Sequence, residues 1–316
     1  MRKEPLRRRL GIMIVVFLAW LAAGLAVPAA AQPAPAAPQP APAVPPPEPT
    51  EIADPFEPIF ARLYNYDFTA AHSLLDERQR ANPADALPYA VRAAVYMFSE
   101  FERLQILETD FFVDDENMVD GQGHRSKPDP EVKRRLFATL DEARARARAR
   151  LASDPNDRQA LFAMVMASGV AADYTGFVER RQWRGMSLTR ETNKYAQKLL
   201  ALQPPVYDAY MNVGSLEYVV GSLPFYVRWF VRFDKIDGNK RKGIDYLKLV
   251  AQRGNYYAPF ARILLAVVSL REGKLEDARQ ILVQLAAEYP ENPLLKRELQ
   301  KITERITAPK TKRRQG

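Results

Sequence analysis

The sequence predicts an all-α chain, a helical-hairpin repeat solenoid of about twelve helices. Three observations carry that expectation. From Glu57 onward apolar residues recur at intervals of three and four, and no alternating strand runs are bounded by hairpin turns. An alanine stands twelve residues before a proline three times over: Ala71 with Pro83, Ala143 with Pro155, Ala278 with Pro290. A small residue lets two helix backbones approach, and the proline then ends the helix and sets the turn to the next. Finally, the 316 residues are 47% hydrophobic and 27% charged, a balance that excludes wholesale disorder and supports a sizeable core.

The first element precedes that array. Arg2, Lys3, Arg7, Arg8 and Arg9 lead into an apolar run from Leu10 to Val27, followed by Pro28-Ala29-Ala30-Ala31-Gln32. The order basic, apolar, small is that of a secretory signal, so residues 1–31 are expected to be a signal peptide cut between Ala31 and Gln32. The run of eighteen residues is also long enough to remain as an N-terminal membrane anchor. Either way the basic residues stay in the cytoplasm and the body is exported, periplasmic or held at the inner membrane facing the periplasm. No cysteine follows the apolar run, which excludes a lipoprotein.

Residues 32–50 hold nine prolines mixed with alanine, a semi-rigid linker of polyproline II character. Residues 51–308 carry the helical periodicity, and 309–316 form a basic tail. The net charge of +8 lies entirely in residues 1–9 and 310–316, leaving the body neutral, so a nucleic-acid partner is not expected.

Within the body the clearest helix runs from Lys274 to Tyr289, with Leu275, Ala278, Ile281, Leu282, Leu285 and Ala286 on one face. Gly273 closes the helix before it, Pro290 ends it, and Asn292-Pro293 opens the next. At these residues the chain resembles the tetratricopeptide-repeat proteins, whose unit is a helix pair with this alanine and terminal proline. The likeness is strongest at Tyr256–Pro290, fair at Leu63–Pro83 and weak from Pro155 to Gly254. The stretch from Asp208 to Leu249, with its Gly-Ser-Leu-Pro step, is similar to the tetratricopeptide-repeat 39 family and its bacterial relatives. What the resemblance implies is a concave surface that binds an extended peptide or a helix, with no catalytic residue attached.

Other motifs reduce to simpler chemistry. The segment Glu108–Asp129 is rich in carboxylates, including Asp114, Asp115 and Asp120, but an EF-hand register puts Met118 at a ligand position and Lys127 where the last glutamate belongs. Gly238–Gly243 has phosphate-loop glycine spacing, yet Ile244 and Asp245 replace its Lys and Ser/Thr, so a helix start with Gly243 at a tight crossing is expected instead. Arg144, Arg146, Arg148 and Arg150 alternate with alanine and are expected to pair with Asp141, Glu142 and Asp154 or to face water. The run Leu223–Phe233 is the densest aromatic stretch and is read as repeat core.

Zero cysteines and two histidines exclude thiolate metal sites and leave little for histidine chemistry. No nucleophile elbow, zinc-protease pair or dinucleotide fingerprint occurs. The expectation is therefore a non-enzyme without cofactor or metal, an interaction scaffold of the cell envelope whose partner is a protein or peptide. Tyr174, Arg180, Arg181, Tyr207, Tyr210 and Arg228 are the candidate partner-binding residues, because tyrosine and arginine are enriched where partners dock. A membrane-associated adaptor using the Leu223–Phe233 run with Lys310–Arg314, and an enzyme using the carboxylates of 108–129, are the alternatives.

Overall fold

The computed structural model describes residues 54–107, 127–223 and 235–307. The signal segment and linker, the carboxylate-rich insertion up to residue 126, most of the aromatic run with Arg228, and the basic tail all lie outside them. Among the described residues the chain is all-helical, with eleven α-helices and no strand. They are α1 (Glu57–Tyr64), α2 (Phe68–Ala81), α3 (Leu87–Arg103), α4 (Pro130–Ser153), α5 (Arg158–Asp173), α6 (Gln182–Leu200), α7 (Tyr210–Ser222), α8 (Lys240–Arg253), α9 (Ala258–Arg271), α10 (Leu275–Glu288) and α11 (Pro293–Thr307). A π turn, Tyr174–Val178, extends α5, and a 3-10 turn, Tyr207–Ala209, precedes α7. Each helix from α1 to α10 packs on the next in sequence, and α3 also touches α5.

The three alanine–proline joints share one geometry. Ala71, Ala143 and Ala278 have no exposed surface, consistent with close helix crossings. The residue before each proline (Asn82, Asp154, Tyr289) leaves the helical region of backbone space, fully extended at Asp154, because the following proline ring disfavours the helical conformation there. Its N–H still donates back to the fourth residue before it. Two residues after each proline stands an Asx: Asp85, Asp157 or Asn292. Its backbone N–H donates to the carbonyl of the residue before the proline, at 3.1, 3.1 and 3.2 Å. Its side chain accepts from the first turn of the next helix: Asp85 from Leu87 N–H, Asp157 from Ala160 N–H, Asn292 from Leu294 and Leu295 N–H.

Arginines of α4 are tied down nearby, as the sequence suggested for two of them. Arg144 pairs with Asp141, and Arg146 pairs with Glu142 and lies 4.0 Å over the Tyr89 ring. Arg150 reaches Asp157 rather than Asp154, because Asp157 is the cap that faces it across the joint.

The core centres on α5, where nearly every residue from Ala160 to Ala172 is buried. The stretch 158–178 is long and apolar enough to cross a membrane by composition, but most of it is enclosed by its neighbours, as in a core helix. Around it the two ends of the array meet. On α1, Phe60 stacks on Tyr256 at 4.6 Å and Tyr64 donates its hydroxyl to Tyr256 O at 2.8 Å. Asn292 Nδ2 donates to Tyr64 O at 2.7 Å, and Asn65 Oδ1 accepts from Glu291 N–H. Phe162 of α5 packs on Tyr256 and Tyr257, and Phe98 of α3 meets Phe260 edge-on. The chain's own aromatic residues thus fill the space where the ends of the array come together.

Candidate interaction surface

α7 and α8 approach each other closely, and glycine is the cause. A Cβ on Gly243 would lie 2.4 Å from Tyr218 N and 2.7 Å from Gly214 O, and one on Gly221 would lie 2.3 Å from Lys240 N. Only the missing side chains let the two backbones run this close. The expectation of a helix start with Gly243 at a tight crossing is met. Asn239 caps α8 by accepting from Lys242 N–H at 3.1 Å. Glu217, fully buried, accepts from the N–H groups of Asp237 and Asn239 and from Lys242 Nζ at 2.9 Å.

Because the backbones nearly touch, the side chains along the seam stand side by side. The rings of Tyr210 and Tyr246 are 4.9 Å apart at 34°. Arg253 lies 5.6 Å over the Tyr207 ring and donates to its hydroxyl at 3.1 Å. Lys242 lies 5.8 Å over Tyr246, and Lys240 lies 5.6 Å over Tyr218. The result is a ladder of half-exposed tyrosine faces framed by cations, running along α8 from Lys242 to Arg253.

The ladder is held from behind. Asp208, buried between Tyr207 and Ala209, accepts from Asn255 N–H at 2.9 Å and Tyr257 N–H at 2.6 Å, locking the 3-10 turn to the joint between α8 and α9. Burial pushes the Asp208 carboxyl up, opposed by those N–H bonds. Burial, followed by the neighbouring Tyr246 and Tyr207 phenols, pushes the Tyr210 hydroxyl up as well, so it stays a neutral donor at neutral pH. Burial works to lower the Lys242 ammonium, but hydrogen bonds to Asp237 and Glu217 outweigh it and keep the group charged.

The candidate residues from the sequence divide. Tyr207 and Tyr210 come together on the ladder. Tyr174 does not belong on any docking face: it is 0% exposed, packed edge-on against Phe137 in the π turn, because the turn rotates it into the core beside α4. A side chain with no surface offers nothing to a partner. Arg180 and Arg181 are exposed but stand at the N-terminal end of α6, whereas Tyr207 follows its C-terminal end, about 28 Å away along a nineteen-residue helix. Arg228, like Asp114, Asp115 and Asp120, is outside the described residues.

Tyr246, Tyr218 and Arg253 were missed. A signal for two of them existed: Lys242, Tyr246 and Arg253 fall on one helical stripe at spacings of four and seven. That stripe marks a surface only once α7 is known to lie beside it.

Chemically the ladder presents flat electron-rich faces, hydroxyls and one exposed guanidinium. Among the described residues no group of histidine or carboxylate side chains is arranged to hold a metal ion. The chain matches no protein-family model, no curated protein and no solved structure.

Proposed function

We propose that the chain is a non-catalytic interaction scaffold of tetratricopeptide-repeat type, exported to the bacterial cell envelope, that docks an extended segment of a protein partner on the tyrosine ladder of α7 and α8. The observation that carries the reading is the Tyr210–Tyr246 pair beside the Tyr207–Arg253 pair, half-exposed and fixed by buried Asp208 and Glu217. Tyrosine and arginine on a rigid seam lose little side-chain entropy when a ligand covers them. The three matching joints favour a repeat origin for the helices. The ends of the array are packed on each other, so the docking face is the ladder rather than the interior between them.

The test is crosslinked capture from envelope extract with the full chain, beside a variant carrying Tyr207→Ala, Tyr210→Ala and Tyr246→Ala. A protein retained by the native chain should bind the variant at least about thirtyfold more weakly, the scale of a lost hot-spot cluster. Helix content should be unchanged. Capture of the same proteins by both chains would remove the ladder from the function.

A further inference from the structure

The first described residue shows where the chain enters the fold. Asp54 Oδ2 accepts from Asn255 Nδ2 at 2.6 Å, and Asn255 follows α8 by two residues. The segment before Asp54 therefore reaches the fold beside the C-terminal end of α8, where Arg253 and Tyr207 begin the ladder. We propose that the proline-rich segment of this chain, residues 33–49, docks in cis along that ladder as a polyproline II strand. The proposal rests on the ladder being a docking face and names the ligand chemistry it takes.

Length permits it. From Lys242 to Arg253 the ladder spans about 17 Å of helix at roughly 1.5 Å per residue. Seventeen residues of polyproline II extend about 50 Å at roughly 3.1 Å each, so the segment reaches the far end with chain to spare.

Chemistry favours it. Prolines lack N–H groups, their rings pack flat on tyrosine faces, and polyproline II makes no internal hydrogen bonds. Its carbonyls are free to accept from tyrosine hydroxyls and from Arg253. Three residues per turn put Pro35 with Pro38, and Pro42 with Pro45, on common edges, the arrangement that aromatic grooves read.

Charge sets the direction. The segment's one acidic residue, Glu48, with Glu51 just beyond the segment, lies at the end nearest Asp54, hence nearest Arg253, which is exposed and engaged among the described residues by Tyr207. At the other end the segment is uncharged, and there Lys242 is already matched by Glu217 and Asp237.

A tethered strand of this length acts at a local concentration on the order of millimolar, so any outside ligand must displace it. The ladder would then be covered by its own linker until a stronger extended segment arrives.

The chain contains no cysteine, so Ala41→Cys provides a single attachment point for a nitroxide in the full-length protein. The expected result is loss of the Tyr207, Tyr210 and Tyr246 ring signals in its NMR spectrum, with the Tyr89 signals retained. The lost signals should return when all nine prolines of the segment are replaced by serine, a change that leaves every described residue untouched. They should also return on adding excess free peptide of residues 32–50. Signals that persist in the labelled native chain overturn the proposal. Loss that appears only when labelled chains are mixed with unlabelled isotopic chains overturns it too, since the occupant is then a second copy. Partner capture reads separately: loss of ladder signals with no captured partner leaves cis docking standing and removes the scaffold reading alone.

Discussion

Asp173 and His72 shift the chain's stability with pH in opposite directions. Burial pushes the Asp173 carboxyl up to about 7, at the end of the core helix α5. An acid whose folded pKa is raised stabilises the fold fully below its unfolded value, near 3.9, and that stability is lost as pH rises through about 7. Burial, with Arg92 next, lowers the His72 imidazole to about 4, under a ring contact with Tyr96 at 4.5 Å. Its contribution runs the other way: present above the unfolded value of about 6.5 and lost as pH falls toward about 4. Urea unfolding between pH 5 and pH 8 should therefore show that Asp173→Asn removes a decline in stability as pH rises from 5 to about 7. The scale is about 2 kcal/mol, because the residue is half-buried and water screens part of the effect. His72→Gln should remove a decline on the acid side; equal slopes in native and both variants would place the pH dependence elsewhere. Neither shift was legible in the sequence, since both depend on what encloses the group. Tyr174 makes the same point: its type suggested a docking residue, and a π turn that no periodicity announced turned it inward.

At the scale of helices and joints, the sequence was far more readable, because the signals are local. The alanine twelve before a proline located three helix ends, and an Asx two residues after each proline supplies the cap that makes the joints alike. Gly243 was identifiable as a close crossing from its helix-start context, but its partner Gly214 was not, because nothing along the chain says which helix lies across it. Two glycine substitutions separate the two uses of the residue. Gly243→Ala places a methyl 2.4 Å from Tyr218 N, backbone that cannot step aside without parting α7 from α8. It should cost about 3 kcal/mol, the upper range of overpacking, and disturb the ladder tyrosines. Gly273→Ala meets nothing within 4 Å, yet Gly273 sits at φ +75 where α9 ends, so the penalty is conformational alone, about 1 kcal/mol. Equal losses of stability in urea for the two variants would mean that the close approach of α7 and α8 is not what holds them.

The closure of the molecule on itself is the feature that local patterns could not announce. Helical periodicity spans a few turns, whereas Tyr64 meets Tyr256 and Asn292 across 192 and 228 residues, and Glu102 meets Arg297 across 195. An array read from its repeats alone is open, with a surface along its inside; here α1 packs against the joint between α8 and α9 and the joint between α10 and α11. Asn292 couples the two ends because it works twice, accepting from Leu294 and Leu295 N–H as a helix cap and donating to Tyr64 O while 3% exposed. Asn239 provides the comparison, an exposed cap of α8 whose side chain accepts from Lys242 N–H. Asn239→Ala should cost about 1 kcal/mol, the ordinary value of a cap. Asn292→Ala should cost about 2–3 kcal/mol, since it also strands the buried Tyr64 carbonyl without its donor. Amide exchange distinguishes the mechanisms further. In the Asn292 variant, protection should fall in α1 together with α11, although α1 carries no substitution. A loss confined to α11, with α1 as protected as in the native chain, would show that the cap serves its own helix and that the ends are held by the Phe60–Tyr256 and Tyr64–Tyr289 ring contacts instead.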